Sequence, residues 1–100
     1  MKKSILKDRR LNNIVDILVD EINPKKLVLF GSRGKGTALF NSDYDIAIDS
    51  ELLNIRRKRE LKEKIDEILG LHKIDLIFLQ EVDPGFKNII LKTGKIIYEG

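Results

Sequence analysis

Residues 27–49 read LVLFGSRGKGTALFNSDYDIAID, and the organisation of the chain can be worked outward from this stretch. Its opening residues, with Lys25 and Lys26 ahead of them, make a short apolar run ended by Gly31, which predicts a buried strand over 25–30. Its closing residues alternate. Asp43, Asp45, Ala47 and Asp49 fall on one side, and Tyr44, Ile46 and Ile48 on the other. Strand side chains point to opposite faces in turn, so a period of two predicts a second strand over 43–49. Gly31, Gly34 and Gly36 lie between, which makes residues 33–39 a loop first and a short helix second.

Toward the N-terminus, Leu11, Ile14, Val15, Leu18, Val19 and Ile22 recur at helical spacing, with Asp8 the expected N-cap and Asn23-Pro24 the stop. Toward the C-terminus, Leu52 to Leu69 reads as an amphipathic helix with Leu61, Ile65, Ile68 and Leu69 inward, capped by Gly70. Ile74 to Leu79 is a third apolar strand, interrupted only by Asp75. Asp83-Pro84 suits the N-cap and first position of a last helix reaching about Thr93, with Phe86, Ile89 and Ile90 expected in the core. Gly94 then turns the chain into an extended segment, Lys95 to Tyr98. The resulting order, α-β-(α)-β-α-β-α-β, predicts an α/β (α+β) fold: a small mixed sheet flanked by helices. No repeat, low-complexity tract or linker divides the chain, so residues 1–100 are expected to form a single domain.

Composition narrows the chemistry. Hydrophobic residues make up 42% and charged residues 35%, a globular profile rather than a disordered or membrane one. No apolar run approaches the length of a membrane span, and MKKSILKDRR lacks the apolar core of a signal peptide. The simplest expectation is a cytoplasmic protein with no membrane partner. The net charge of +3 suits anionic ligands, though a solvated Lys/Glu surface explains it equally well. Absence of cysteine excludes thiol catalysis and Cys-based metal sites, and a single histidine, His72, excludes a His-rich centre. A catalytic metal must therefore sit on carboxylates.

Three features carry chemistry. Asp43 and Asp45, two apart on a strand, share a face, where two like charges are costly unless a cation joins them. Oxygen donors alone suit a hard ion, and Mg²⁺ is the usual choice beside phosphate. An acidic outer face on an exposed strand would give the same spacing. Asp75 stands within IDLIFL, where an ionised carboxylate is expensive unless it is paired, metal-bound or still wet at the strand start. The turn Gly31-Ser32-Arg33-Gly34-Lys35-Gly36 follows a strand, so its N–H groups and the Ser32 hydroxyl suit phosphate oxygens, with Arg33 and Lys35 adding positive charge. It is neither a Walker A loop, since Gly36 replaces the Ser/Thr after Gly34-Lys35, nor a dinucleotide fingerprint, since an acidic strand follows. A phosphate cradle, a two-carboxylate strand and a third carboxylate on the next strand are together the parts of a two-metal phosphoryl-transfer site.

The same run, GSRGKGTALFNSDYD over residues 31–45, resembles the signature of the nucleotidyltransferase fold of the DNA polymerase beta superfamily: Gly-Ser, ten residues, then Asp-x-Asp. The resemblance is closest to the minimal, MNT-type members and extends from the first helix to the terminal GKIIYEG. Gly34 stands for a common Ala, and Lys35 for a common Arg, which keeps charge but gives up bidentate phosphate binding. The resemblance implies a polymerase beta-like palm fold and transfer of a nucleoside monophosphate, AMP from ATP, to a hydroxyl. It implies that Asp43, Asp45 and Asp75 hold two Mg²⁺ ions, and that Gly31 and Ser32 hold the β- and γ-phosphates. It further implies a HEPN-type helical toxin as partner, adenylylated on a tyrosine, with this chain as antitoxin. Two other classes fit part of the sequence. A non-catalytic binding subunit could neutralise or scaffold a partner. Alternatively, Arg56-Arg57-Lys58-Arg59 could bind nucleic acid directly, but Glu60 and Glu63 follow on the same helix, and i,i+4 pairs such as Arg59–Glu63 describe an ordinary solvated face.

Overall fold

The computed structural model describes residues 2–3, 9–31, 44–70 and 73–100. In chain order these form β1 (Lys2–Lys3), α1 (Arg9–Ile22), β2 (Lys26–Phe30), β3 (Tyr44–Asp49), α2 (Ile55–Leu69), β4 (Ile74–Phe78), α3 (Pro84–Thr93) and β5 (Lys95–Glu99). The expected N-cap Asp8, the short helix over 33–39 and His72 lie outside the described residues.

The strands build a mixed sheet in the order β1-β5-β2-β3-β4. β2 runs antiparallel to both β3 and β5, whereas β3 and β4 are parallel, joined by the crossover helix α2. Parallel neighbours need such a crossover, and the helical spacing of Leu61, Ile65 and Leu69 supplies it. All three of these leucine and isoleucine side chains are buried.

One sheet face carries the main core. Leu27 and Leu29 of β2, Tyr44, Ile46 and Ile48 of β3, and Ile74 and Phe78 of β4 pack there against α1 and α2. From α1 the buried residues are Leu11, Ile14, Val15 and Leu18, the i, i+3, i+4, i+7 stripe of an amphipathic helix. Asn23 ends α1 with a left-handed φ of 45°, its N–H donating to the Val19 carbonyl at 3.1 Å, which closes the last turn before Pro24. The two helices are also tied by charge. Arg57 Nη2 donates to the Glu21 carbonyl at 2.7 Å and to Glu21 Oε2 at 2.8 Å, and Lys64 pairs with the other carboxylate oxygen. These partners hold the Glu21 carboxyl below its ordinary pKa, the Lys64 hydrogen bond first and the Arg57 hydrogen bond second.

The opposite face is covered only in part. Val28, Ala47 and Leu79 meet Ile90 of α3 there. Phe86 and Ile89, expected in the core, are 41% and 58% exposed, because α3 touches the sheet along a stripe narrower than its apolar surface. A second correction concerns α2, which starts at Ile55 rather than Leu52. Asn54 caps it by accepting from the Arg57 N–H at 2.8 Å, satisfying an N–H that has no partner inside the helix, and Leu52 is left 63% exposed ahead of the cap. Asp83 caps α3 as expected, accepting from the N–H groups of Gly85 and Phe86. Among the described residues no helix is long and apolar enough to cross a membrane.

Candidate active site at the ends of β2, β3 and β4

The antiparallel register sets Phe30, the last residue of β2, opposite Asp45, the second residue of β3. The parallel register sets Asp45 opposite Asp75, the second residue of β4. Residues directly opposite each other share a sheet face, and neighbouring strands lie about 4.8 Å apart. Phe30, Asp45 and Asp75 therefore form a row across three adjacent strands, with Gly31 turning the chain out of β2 beside it. Ala47 and Ile77, two residues further along β3 and β4, face the α3 side of the sheet, so the two carboxylates do too.

Gly31 is fitted to this row. Its φ is +71°, a left-handed conformation that glycine adopts without strain, and a Cβ built on it would lie 2.5 Å from Asp45 Oδ2. The backbone turning out of β2 thus passes directly against the Asp45 carboxylate.

Burial differs between the two aspartates. Asp45 is partly buried, whereas Asp75 is exposed. Of the alternatives open to a carboxylate in this apolar strand, Asp75 meets the wet one. It occupies the wet start of an edge strand, while its neighbours Ile74 and Phe78 point the other way into the core. Tyr44, between the expected metal-binding residues, is 1% exposed and packs in the core. The remaining expected site residues, Ser32, Arg33, Lys35 and Asp43, lie outside the described residues.

Two features were missed by the sequence reading. Phe30 beside Asp45 meets Phe86 of α3 edge-to-face, ring centroids 6.4 Å apart and planes at 86°, forming an aromatic wall next to the carboxylates. Phe30 stands immediately before Gly31, which was the available signal; Phe86 is far away in sequence. The second is a groove of about 380 Å³ along β4, lined in part by Asp75 and by Lys58 and Lys62 of α2.

The basic cluster resolves into separate pairs. Arg57 binds Glu21, Lys58 binds Glu81, and Arg56 lies 3.5 Å from Glu60. These cations link elements of the fold or sit on a solvated helix face, so they do not make a continuous basic surface.

Asp45 and Asp75 present oxygen donors side by side, as a hard divalent cation requires. With the Gly31 backbone turning beside them, the arrangement suits a metal-assisted attack on a phosphoryl group.

Residues 12–100 match the family described as polymerase beta, nucleotidyltransferase. The chain is 32% identical over 85 residues to the protein adenylyltransferase MntA of Aphanizomenon flos-aquae, covering 75% of this chain and 57% of that protein. It therefore spans just over half the length of that relative. A crystal structure described as a toxin-antitoxin with AMP-PNP is similar with a TM-score of 0.79 and 28% identity, covering 93% of this chain and 75% of the matched one. A structure of a tri-AMPylated Shewanella oneidensis HEPN toxin in complex with an MNT antitoxin matches with a TM-score of 0.72 and 25% identity, covering 91% and 71%.

Proposed function

The chain belongs to the polymerase beta nucleotidyltransferase family, and on that premise we propose that it transfers AMP from ATP to a hydroxyl of a partner protein. The partner of this reading is a HEPN-type toxin, the hydroxyl is a tyrosine, and the chain serves as antitoxin. The observation that carries the reading is the pairing of Asp45 with Asp75 on adjacent strand ends, with the Gly31 turn lying against the Asp45 carboxylate.

In this mechanism the acceptor oxygen bonds to the α-phosphorus, the bond to the β-phosphate breaks, and pyrophosphate leaves. Gly31, with Ser32, holds the β- and γ-phosphates through backbone N–H groups, and the missing Cβ lets the backbone turn directly against the Asp45 carboxylate. Arg33 and Lys35 add positive charge toward the triphosphate. Asp43, Asp45 and Asp75 hold two Mg²⁺ ions, which when bound offset charge on the attacking and leaving oxygens. Asp75 orients the acceptor hydroxyl and takes up its proton. Its exposure supports this role, since an incoming side chain must reach it from solvent.

The test is to incubate the protein with Mg²⁺, each NTP and the product of its neighbouring gene, then weigh both proteins. A gain of one AMP on the partner, lost in Asp45→Asn, is the expected result. Tight complex formation with no mass gain would replace this reading with a non-catalytic binding subunit, which the exposed Phe86 and Ile89 favour.

A further inference from the structure

β4 ends the sheet, and among the described residues no strand pairs with its outer side. The pattern of its outward groups follows from two hydrogen bonds. Tyr44 N donates to the Lys73 carbonyl and Leu79 N donates to the Ile48 carbonyl, each at 2.9 Å. In a parallel ladder alternate residues turn their N–H and C=O toward the neighbour. Residues 73, 75, 77 and 79 therefore face β3, and Ile74 and Leu76 direct their backbone donors and acceptors outward, as does the Phe78 N–H, while the Phe78 carbonyl accepts from the Glu81 N–H at 2.9 Å. These open groups border the groove lined in part by Asp75.

Its walls are apolar and its rim carries Lys58, Lys62, Asp75 and Glu81. With Lys58 paired to Glu81 and Asp75 committed to the metal in the proposed reaction, Lys62 is the charge left at the rim. Lys58 pairs with Glu81 and lies 4.8 Å over the Phe78 ring, which holds it at the edge. Lys62 is exposed and makes no ion pair among the described residues. Leu76, Ile77 and Val82 supply the apolar lining. Lysines beside a bare edge hinder pairing between like chains, while leaving the ladder open to a strand of opposite charge.

We propose that this edge is the acceptor track: an extended, acidic peptide segment of the substrate protein adds to β4 as a further strand and presents its hydroxyl beside Asp75. The inference rests on the nucleotidyltransferase reading and names the form in which that reaction takes its acceptor. A side chain on the added strand, on the face shared by Asp45 and Asp75, continues their row by one strand spacing, about 4.8 Å. The triphosphate then lies at the Gly31 end of the row and the acceptor at the other, with both carboxylates between them. Main-chain bonds to the open edge supply affinity, and Lys62 selects acidic flanks.

The probe is an acetylated, amidated heptapeptide of alternating valine and glutamate with a central tyrosine, added to the full chain with Mg²⁺ and α,β-methylene ATP. The expected result is slowed amide exchange at Leu76 and Phe78. Backbone N-methylation of the peptide should weaken binding about tenfold or more, the worth of one or two lost hydrogen bonds. Lys62→Glu should weaken it about threefold, and a lysine version of the peptide should bind worse than the glutamate one. Leu76→Pro should block the track: the Leu76 N–H makes no bond to β3, so proline there removes only the outward donor. If that variant does not fold, Lys62→Glu and the N-methylated peptide decide. Peptide binding that leaves Leu76 and Phe78 exchange unchanged would overturn the proposal. Protection that appears without peptide and grows with protein concentration would overturn it too, by assigning the edge to a second copy. Binding of α,β-methylene ATP is read in the same samples. Its loss refutes the nucleotidyltransferase reading, whereas its presence without peptide protection refutes the track alone.

Discussion

The carboxylate of Asp45 fills the space that a Cβ on Gly31 would require, the built atom falling 2.5 Å from Oδ2. The glycine and the aspartate are fourteen positions apart in sequence, and the β2–β3 register makes them neighbours. Gly31→Ala is therefore strained twice, by a φ of +71° and by the clash. We expect a loss of about 1–2 kcal/mol on chemical denaturation. Nucleotide affinity should fall further than stability explains, measured by titration with α,β-methylene ATP. Unchanged affinity in a folded variant would remove Gly31 from the phosphate site.

Asp75→Asn separates catalysis from folding. The side chain is exposed, so stability should stay within about 0.5 kcal/mol of the parent. Transfer should fall on the order of a thousandfold or more, the worth of a lost transition-state contact. Asp45→Asn should do the same to transfer. Near-parental turnover in either variant would refute its assignment.

Glu21 sets an acid sensitivity between α1 and α2. Its folded pKa lies below its unfolded value, so the Arg57 and Lys64 contacts stabilise the fold above the unfolded pKa. That contribution is lost as pH falls through the lower, folded value. Glu21→Gln should flatten the slope of stability against pH across this acidic window, followed by urea denaturation at a series of pH values. An identical slope would show that the pair contributes nothing in solution, as many surface pairs do.

Ile89 and Ile90 test the two sides of α3. Ile90 is 1% exposed, and Ile90→Ala should cost about 2–4 kcal/mol through lost burial and the cavity left behind. Ile89, at 58% exposed, should tolerate alanine within about 0.5 kcal/mol. A large cost at Ile89 in the isolated chain would mean that α3 packs more deeply than observed.

The elements themselves were legible in the chain, because hydrophobic period is local. Alternation at Tyr44–Asp49, helical spacing at Leu11–Leu18 and the Asp83-Pro84 cap each depend on residues within a turn or two, and all recur in the structure. The spacing of Gly31-Ser32 to Asp43 and Asp45 likewise pointed to the family that residues 12–100 match. Ser32, Arg33, Lys35 and Asp43 remain expectations of that motif.

Register was not legible, since it depends on which strands pair and in which direction. Only tertiary structure set Asp75 opposite Asp45 and left it exposed at a sheet edge, one of the alternatives its sequence context had left open. It also turned Phe86 and Ile89 outward, brought Phe86 onto Phe30, and paired Arg57 with Glu21 and Lys58 with Glu81, partners far along the chain. Local pattern determines which face of an element is apolar. Which apolar face is then covered, and which edge stays open, is decided when the elements compete for the same core.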